Sequence, residues 1–526
     1  MRRLPAALAA VPFLVVPVLG AHAAPLGPAF TTVRLAGSSG SSEPRAAISK
    51  QGVHWITTNA SNGDEAVYRS LDGLTWTPVA RPQQNAATTD VDVVVMPNGR
   101  VLTSELDDAG INFITAYSDD QGKTWTQSQG TTYADTDRQW FAVGPRVGDE
   151  AGPRVYLLFH NLLSGLGNHN MFVATSKDGG QTFGVPTPVA IPPQQDYLDL
   201  QCADSGGPSN IFVDQHTGKV SVVFGSRSSP IGGCAANPVE INVVAANRVW
   251  VVSADKDKTE TPGGWVPSLA VDDTAKGRIT GMQLAPGAVG DDGTYYVAYP
   301  ESLHDYPDYD GGAIKVVHSK DLKTWSAPIV IAPSGGTGNI LPHIVAGSAG
   351  RIGLAWYHGL AGNVWQSYSA QVLDALSAHP HVTTVPLSDV TVEKGTASSL
   401  MGACMQGSTA TLNGFACGRA TDVNGIAMDP CGRMLLTWPA QARIKATDGT
   451  YASMQTAGPR LRTNACAAAV VPPTVVPPVS TPVAGQPHSG SGGLAATGGS
   501  VALAVLALLL LGAAAVVRRR RASPTP

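Results

Sequence analysis

SDDQGKTW, residues 118–125, decides the fold, because its chemistry returns at SLDGLTW (70–76), SKDGGQTF (176–183) and SKDLKTW (319–325). Each stretch opens on serine, places aspartate two residues later, and ends in threonine followed by an aromatic ring. An aspartate so placed bonds backbone amides across a turn, Gly122 and Gly180 supply positive φ, and Trp76, Trp125, Phe183 and Trp325 are free to pack inward. Asp72, Asp120, Asp178 and Asp321 are therefore read as structural clips. One residue repeated at successive turns does not make successive active sites. Self-similarity at a spacing of tens of residues identifies an architecture before any single strand does.

Around the turns, four strands recur in one order, the third ending at the serine and the fourth starting at the aromatic. The first set reads RAAIS, HWITT, AVYRS, WTPVA; the second VDVVVM, VLTSEL, FITAYS, WTQSQ; the third WFAVG, VYLLFH, MFVATS, FGVPTPV. A fourth set (NIFVDQ, VSVVFGS, RVWVVSAD, WVPSLAV) has a longer, degraded turn from Ser253 to Trp265, and a fifth reads ITGMQLA, YYVAYP, IKVVHS, WSAPIVIA. Two more sets, beginning HIVAGS and GIAMD, have lost the turn. The strand near Thr31-Thr32-Val33-Arg34-Leu35 is expected to complete the last sheet and so remove free edges. The reading is an all-β chain folded as a β-propeller of seven blades. Six is the alternative if the last set is a disulfide-held appendage. A pair of β-sandwiches leaves the repeat unexplained.

The four turns resemble the Asp-box, or BNR repeat, of sialidases and other β-propellers. That resemblance implies three arginines holding a substrate carboxylate, a tyrosine nucleophile activated by glutamate, and an aspartate acid/base, a departure from the two-carboxylate scheme of most glycosidases. Arg45 in EPRAAI stands where the family's first blade opens with Arg-Ile-Pro, although here the proline precedes the arginine. Arg227, Arg278 and Arg419 are candidates for further guanidinium groups, and Glu301 with Tyr357 for the activating pair. The catalytic set expected from the resemblance is Arg45, Asp92, Glu301 and Tyr357.

If the turns occupy one face, functional side chains belong on the other. Starts of first strands bring Glu43, Arg45, Asp90, Asp92, Asp137, Arg138, Trp140, His343 and Asp422 there. Loops between second and third strands bring Glu105, Asp107, Asp108, His160, Arg227, Glu301, His304, Asp305, Asp308, Asp310, Tyr357 and His358. Of these, Asp137, Arg138, Trp140, His160, Arg227, His304, His343 and His358 are the expected ligand-binding residues. DRQWFAV (137–143) sets an acid, a base and an indole together, a platform suited to stacking on a sugar ring. HDYPDYDGG (304–312) offers Asp305, Asp308 and Asp310 to calcium or to sugar hydroxyls, with a plain solvated loop as the rival reading. No other metal and no cofactor are expected. Ring-lining charges also hold blades in register without any catalysis.

The ends of the chain give an address. Met1-Arg2-Arg3, an apolar run to Gly20 and Ala21-His22-Ala23 read as a cleaved export signal over residues 1–23. The propeller is assigned to 24–466 and a Pro/Gly/Ser-rich, extended linker to 467–493. Residues 494–526 combine LAATG, an apolar stretch over 500–517 and Arg518–Arg521. This order is similar to the cell-wall sorting signal of actinobacterial LAxTG type. The resemblance implies a transmembrane helix with its basic end inside, and a sortase that cuts between Thr497 and Gly498 and joins Thr497 to peptidoglycan. Whether the helix is removed or remains as a single-pass anchor stays open, and either way the propeller is outside.

An even count of six cysteines in an exported chain, Cys202, Cys234, Cys404, Cys417, Cys431 and Cys466, is read as disulfide-forming. Local pairing joins them in sequence order, but the connectivity is open. Net charge −4 with 14% charged residues offers nucleic acid nothing. Two functions follow: a surface propeller that recognises glycans and hydrolyses them in the manner of an exo-sialidase, or a non-catalytic adhesion or protein-binding propeller.

Overall fold

The computed structural model describes residues 27–463, apart from 42, 60–64, 83–89, 108–111, 132, 134–135, 162–169, 201–207, 229–245, 279, 281–284, 305–310, 336–337, 398–399, 401–410, 413–414, 417–424 and 441–446. Seven antiparallel sheets form a ring of blades. Blade 1 runs Arg45–Ile48, His54–Asn59, Glu65–Ser70 and Thr77–Pro78; blade 2 Val91–Val95, Val101–Asp107, Asn112–Ser118 and Thr126–Gln127. Blade 3 runs Thr136–Val143, Val155–Asn161, Met171–Ser176 and Thr187–Pro188; blade 4 Pro208–Val213, Val220–Ser226, Arg248–Ala254 and Val266–Asp272. Blade 5 runs Gly287–Val289, Tyr295–Glu301, Ala313–Ser319 and Ile329–Ala332; blade 6 Asn339–Ala346, Ile352–Leu360, Val364–Val372 and Val382–Pro386. Blade 7 takes Gly425–Met428, Met434–Ala440 and Gly449–Ala457 from the end of the ring, and Ala29–Arg34 from its start as the outer strand. The ring is thus closed by pairing the two ends of the propeller, and the last set is a blade, not an appendage.

Packing explains why the middle strands read as unbroken apolar runs. Each is buried on both faces, and successive residues serve different interfaces. In blade 4, Val222 and Phe224 pack toward blade 3 while Val223 packs toward blade 5. In blade 7, Leu435 faces blade 1 and Leu436 faces blade 6. One hydrophobic cluster fills each of the seven interfaces.

The four repeated turns share one set of bonds. The carboxylate of Asp72, Asp120, Asp178 and Asp321 accepts the amide of Thr75, Thr124, Thr182 and Thr324 at 2.7, 2.9, 3.0 and 2.9 Å. The preceding serine hydroxyl donates to the same carboxylate at 2.7–3.1 Å. The two longer turns hold two successive residues at positive φ, Gln121 with Gly122 and Gly179 with Gly180; the shorter ones hold one, Gly73 or Leu322. Dropping a residue therefore costs one left-handed step and leaves the clip intact.

One strand departs from expectation. Among the described residues the inner strand of blade 5 is Gly287–Val289, and residues 279 and 281–284 of the expected ITGMQLA lie outside them. Its edge is set by the Asn210 side chain of blade 4, which donates to Gly287 O at 2.7 Å and accepts Gly287 N at 2.9 Å. A side-chain amide there replaces backbone pairing, and apolar patterning does not record that. Among the described residues no helix is long and apolar enough to cross a membrane. The expected span at 500–517, the export signal and the linker lie outside them.

Candidate functional site

The site is built by register. In every blade the amide that closes the first turn belongs to an equivalent residue: Ser49, Met96, Gly144, Asp214, Gly290, Gly347 and Asp429. Four residues earlier stand Arg45, Asp92, Trp140, Asn210, Pro286, His343 and Gly425. All of these except Trp140 line a cavity of about 160 Å³, where Phe141 stands for blade 3. It lies on the propeller axis, toward the end of the ring opposite the Asp-containing turns.

Arg45 organises this ring. Its Nε lies 3.1 Å from Asp92 Oδ1, and its guanidinium sits 4.1 Å from the centre of the Trp140 ring. Asp92 Oδ2 also accepts the amide of Phe141 at 2.7 Å, joining blades 1, 2 and 3 through one carboxylate. Burial still pushes the Asp92 carboxyl up, with Arg45 opposing. Burial, and then the Arg45 charge, push His343 down to about 3, so it is a neutral imidazole across the physiological range.

Trp140 corrects an expectation. It is 1% exposed, packed between blades 3 and 4 and covered by Arg45, so it is a wall and not a platform for a sugar. The cause is a bulge: Asp137 pairs with His160 and Trp140 with Leu158, and Arg138 takes φ +56°. Blade 6 bulges at the same level, where Ile340 pairs with Tyr357, His343 with Ala355, and Leu341 takes φ +53°. Bulges of this kind re-aim side chains.

Above the ring lies a layer of acids. Glu43, Asp90 and Arg138 are each more than nine-tenths buried. Burial pushes the Asp90 carboxyl well up, and the neighbouring Glu43 adds to it by charge and by a hydrogen bond, while Arg138 opposes. Asp137 goes the other way despite its burial: His160, whose Nε2 is 3.5 Å from Oδ2, and Arg138 hold it well below the usual carboxylate range. Glu105, 3% exposed, belongs to the same end.

The remaining expected residues are dispersed. Glu301 is ion-paired with Lys315 inside blade 5. Tyr357 is 0% exposed in the apolar cluster of blades 6 and 7. An enclosed phenol and a glutamate engaged by lysine do not make the expected activating pair of Glu301 and Tyr357. His358 is half-buried, its Nδ1 2.7 Å from Asn339 Oδ1, which also accepts Trp356 Nε1 at 2.9 Å. Arg227 and His304 are exposed at the edges of blades 4 and 5, and Arg278 follows the short 3₁₀ turn Thr274–Lys276. The side chains of Asp107 and Asp108, with Asp305, Asp308, Asp310, Arg419 and Asp422, fall outside what is described. Of the cysteines only Cys431 is described, and it is disulfide-bonded. Among the described residues no group of three or more acidic, His or Cys side chains is arranged to hold a metal.

No protein-family model and no curated protein matches the chain. Solved structures do. An ulvan lyase of a polysaccharide lyase family, bound to a glucuronate and sulfated rhamnose unit, is 13% identical over 78% of this chain and 94% of its own, with a TM-score of 0.49. An α-L-arabinanase from Penicillium chrysogenum with arabinobiose is 9% identical over 84% and 99%, TM-score 0.40. The Aleuria aurantia lectin, as a mutant with α-methyl-L-fucoside, is 12% identical over 68% and 97%, TM-score 0.37. Likeness at these values transfers no activity to this chain.

Several polar residues at this end were not singled out from the sequence. Glu65, 1% exposed, opens the third strand of blade 1 and accepts the Thr57 hydroxyl at 2.6 Å. Gln139, 0% exposed, donates to Asp90 O at 2.8 Å. Asp199 collects Arg248 at 2.9 Å and Trp250 Nε1 at 3.2 Å. Glu65 follows the polar loop ASNGD, which reads as solvated, so nothing local marked it for burial.

Proposed function

We propose that this protein is an exported Asp-box propeller, displayed at the cell surface through its C-terminal sorting signal, that recognises a glycan at the axial mouth of blades 1–3. The observation that carries the reading is the mouth itself: hydrogen-bonding side chains from several blades, fixed by shared register, around an axial cavity of about 160 Å³. Concave sites with a few convergent polar groups are the ordinary form of a small-molecule site. The turn bonds support the Asp-box assignment, and the terminal sequences support export, sortase cleavage at Thr497 and attachment to peptidoglycan.

Glycoside hydrolysis is the second reading, favoured by one feature. Asp90 is pushed up and Asp137 down within one cluster. Two carboxyls driven apart in this way suit an acid and a base. The packing of Glu301 and Tyr357 gives a sialidase route no support, and these aspartates are the candidates for hydrolysis.

A glycan panel, scored for binding and for newly released reducing ends, separates the readings. Binding that is lost in Asp137→Ala supports recognition, and turnover abolished in Asp90→Asn adds hydrolysis. If no glycan binds or is cut, the glycan reading fails and a protein-binding role is the reading to test next.

A further inference from the structure

We propose that residues 459–463 are a strap that closes the ring a second time, across the end that carries the Asp-containing turns, and that a Cys431–Cys466 disulfide locks it to blade 7.

Blade 7 takes its outer strand from the start of the chain, so the residues after Gly449–Ala457 are not spent on a fourth strand. They cross the first turns of blades 7, 6 and 5 instead. Leu461 N donates to Gly432 O at 2.8 Å and Leu461 O accepts Ser348 N at 2.9 Å, so one residue bridges the turns of blades 7 and 6. Arg351 Nη1 donates to Arg460 O at 2.8 Å, and Gln371 and Gln455 donate to Pro459 O at 3.1 and 2.6 Å. Arg462 then reaches both oxygens of Asp291 in blade 5, at 3.1 Å each. First turns and Asp-containing turns share this end, as the pairs Asp292 with Lys320 and Arg100 with Asp119 show.

The blades are shaped to receive the strap. Leu461 is 0% exposed. A Cβ on Gly347 would strike the Leu461 carbonyl, and one on Gly432 the Arg462 amide, so glycine is required at both turns for the strap to lie down.

The disulfide follows from the two ends of the ring. Cys202 falls in the connection leading to Pro208–Val213, Cys234 between Ser226 and Arg248, and Cys404 and Cys417 in the connection leading to Gly425–Met428. All three of these connections begin and end at the mouth. Cys431 stands in the first turn of blade 7, at the opposite end, and is disulfide-bonded. The strap lays Arg462 against Gly432, the residue next to Cys431, and Cys466 comes three residues after Thr463, within a reach of about 10 Å. A cysteine from the mouth end would have to run back along the blade to meet Cys431.

Gly449–Ala457 is the strand on which closure by Ala29–Arg34 depends. A pull on the chain beyond residue 466 meets the strap and its disulfide before it peels that strand. This use under load rests on the surface-display reading, whereas the strap and the disulfide stand without it.

Full-length protein, digested at acidic pH without reductant and mapped by mass spectrometry, is expected to yield a peptide pair joined through Cys431 and Cys466. Cys431 joined to any other cysteine overturns the lock. Hydrogen–deuterium exchange tests the strap, with Cys466→Ser and, should that variant fail to fold, Arg462→Ala. Either substitution is expected to speed exchange about tenfold in both Gly449–Ala457 and Ala29–Arg34. Exchange that rises only within 458–463, or nowhere, overturns the strap. Surface attachment is scored separately, by the intact mass of wall-released protein ending at Thr497, and its failure removes the load while leaving the other two results to decide the strap and the lock.

Discussion

At the scale of the residue, Arg45 and His343 carry the account. Arg45 neutralises Asp92 at 3.1 Å, and both side chains are largely buried, at 13% and 7% exposure. Arg45→Ala is expected to destabilise the fold by about 3 kcal/mol, because an unpaired buried carboxylate costs more than the pair itself contributes. Urea unfolding checks this, and Arg45→Ala with Asp92→Ala should be less destabilised than Arg45→Ala alone. His343 gives a pH signature. Its folded pKa of about 3 lies below the ordinary histidine value, so between the two the unfolded chain binds a proton that the folded chain refuses. Stability owed to this residue is complete above about pH 6.5 and falls as pH drops toward 3. His343→Gln should therefore lose less stability between neutral and mildly acidic pH than the parent, and equal losses would count against a neutral, buried His343.

At the scale of the element, the turns were legible because their chemistry is local: serine, aspartate, glycine and the aromatic ring act within eight residues of one another, as in SDDQGKTW. The mouth was legible in part for a related reason. Arg45, Asp92 and His343 share a register that repeats with the blades. What stayed hidden depends on side chains from another blade, such as Asn210 defining the edge at Gly287 and Arg45 covering Trp140. Tyr357 shows the same limit. Its chemistry suggested a nucleophile, but only packing between blades 6 and 7 reveals that it is enclosed. A glycine comparison tests the turn geometry. Gly180 has φ +82° and an added Cβ would stand 2.9 Å from Leu102 Cδ2, whereas Gly99 has φ +93° and open space. Gly99→Ala should cost about 1 kcal/mol of backbone strain, and Gly180→Ala clearly more because crowding adds to it. Thermal unfolding of both variants measures the difference, and equal costs would mean that the turn does not press against blade 2.

At the scale of the whole molecule, closure is the controlling feature. Ala29–Arg34 completes blade 7, with Thr32 opposite Ser453 and their hydroxyls 2.8 Å apart. Removing residues 1–36 should open the ring, expose the edge of Gly449–Ala457 and abolish a single cooperative unfolding transition. Retention of that transition would show that the blades hold together without the closing strand. Closure also gives the mouth its rigidity, since residues from blades 1, 2, 3 and 6 meet only when the circle is complete. The central claim, that a glycan is recognised at that mouth, is tested most directly by hydrogen–deuterium exchange of the full-length protein with and without a glycan it binds. The account predicts slowed exchange in Arg45–Ile48, Val91–Val95 and Thr136–Val143, with the turns around Asp72, Asp120 and Asp178 unchanged. Protection confined to those turns, on the opposite face, would contradict it.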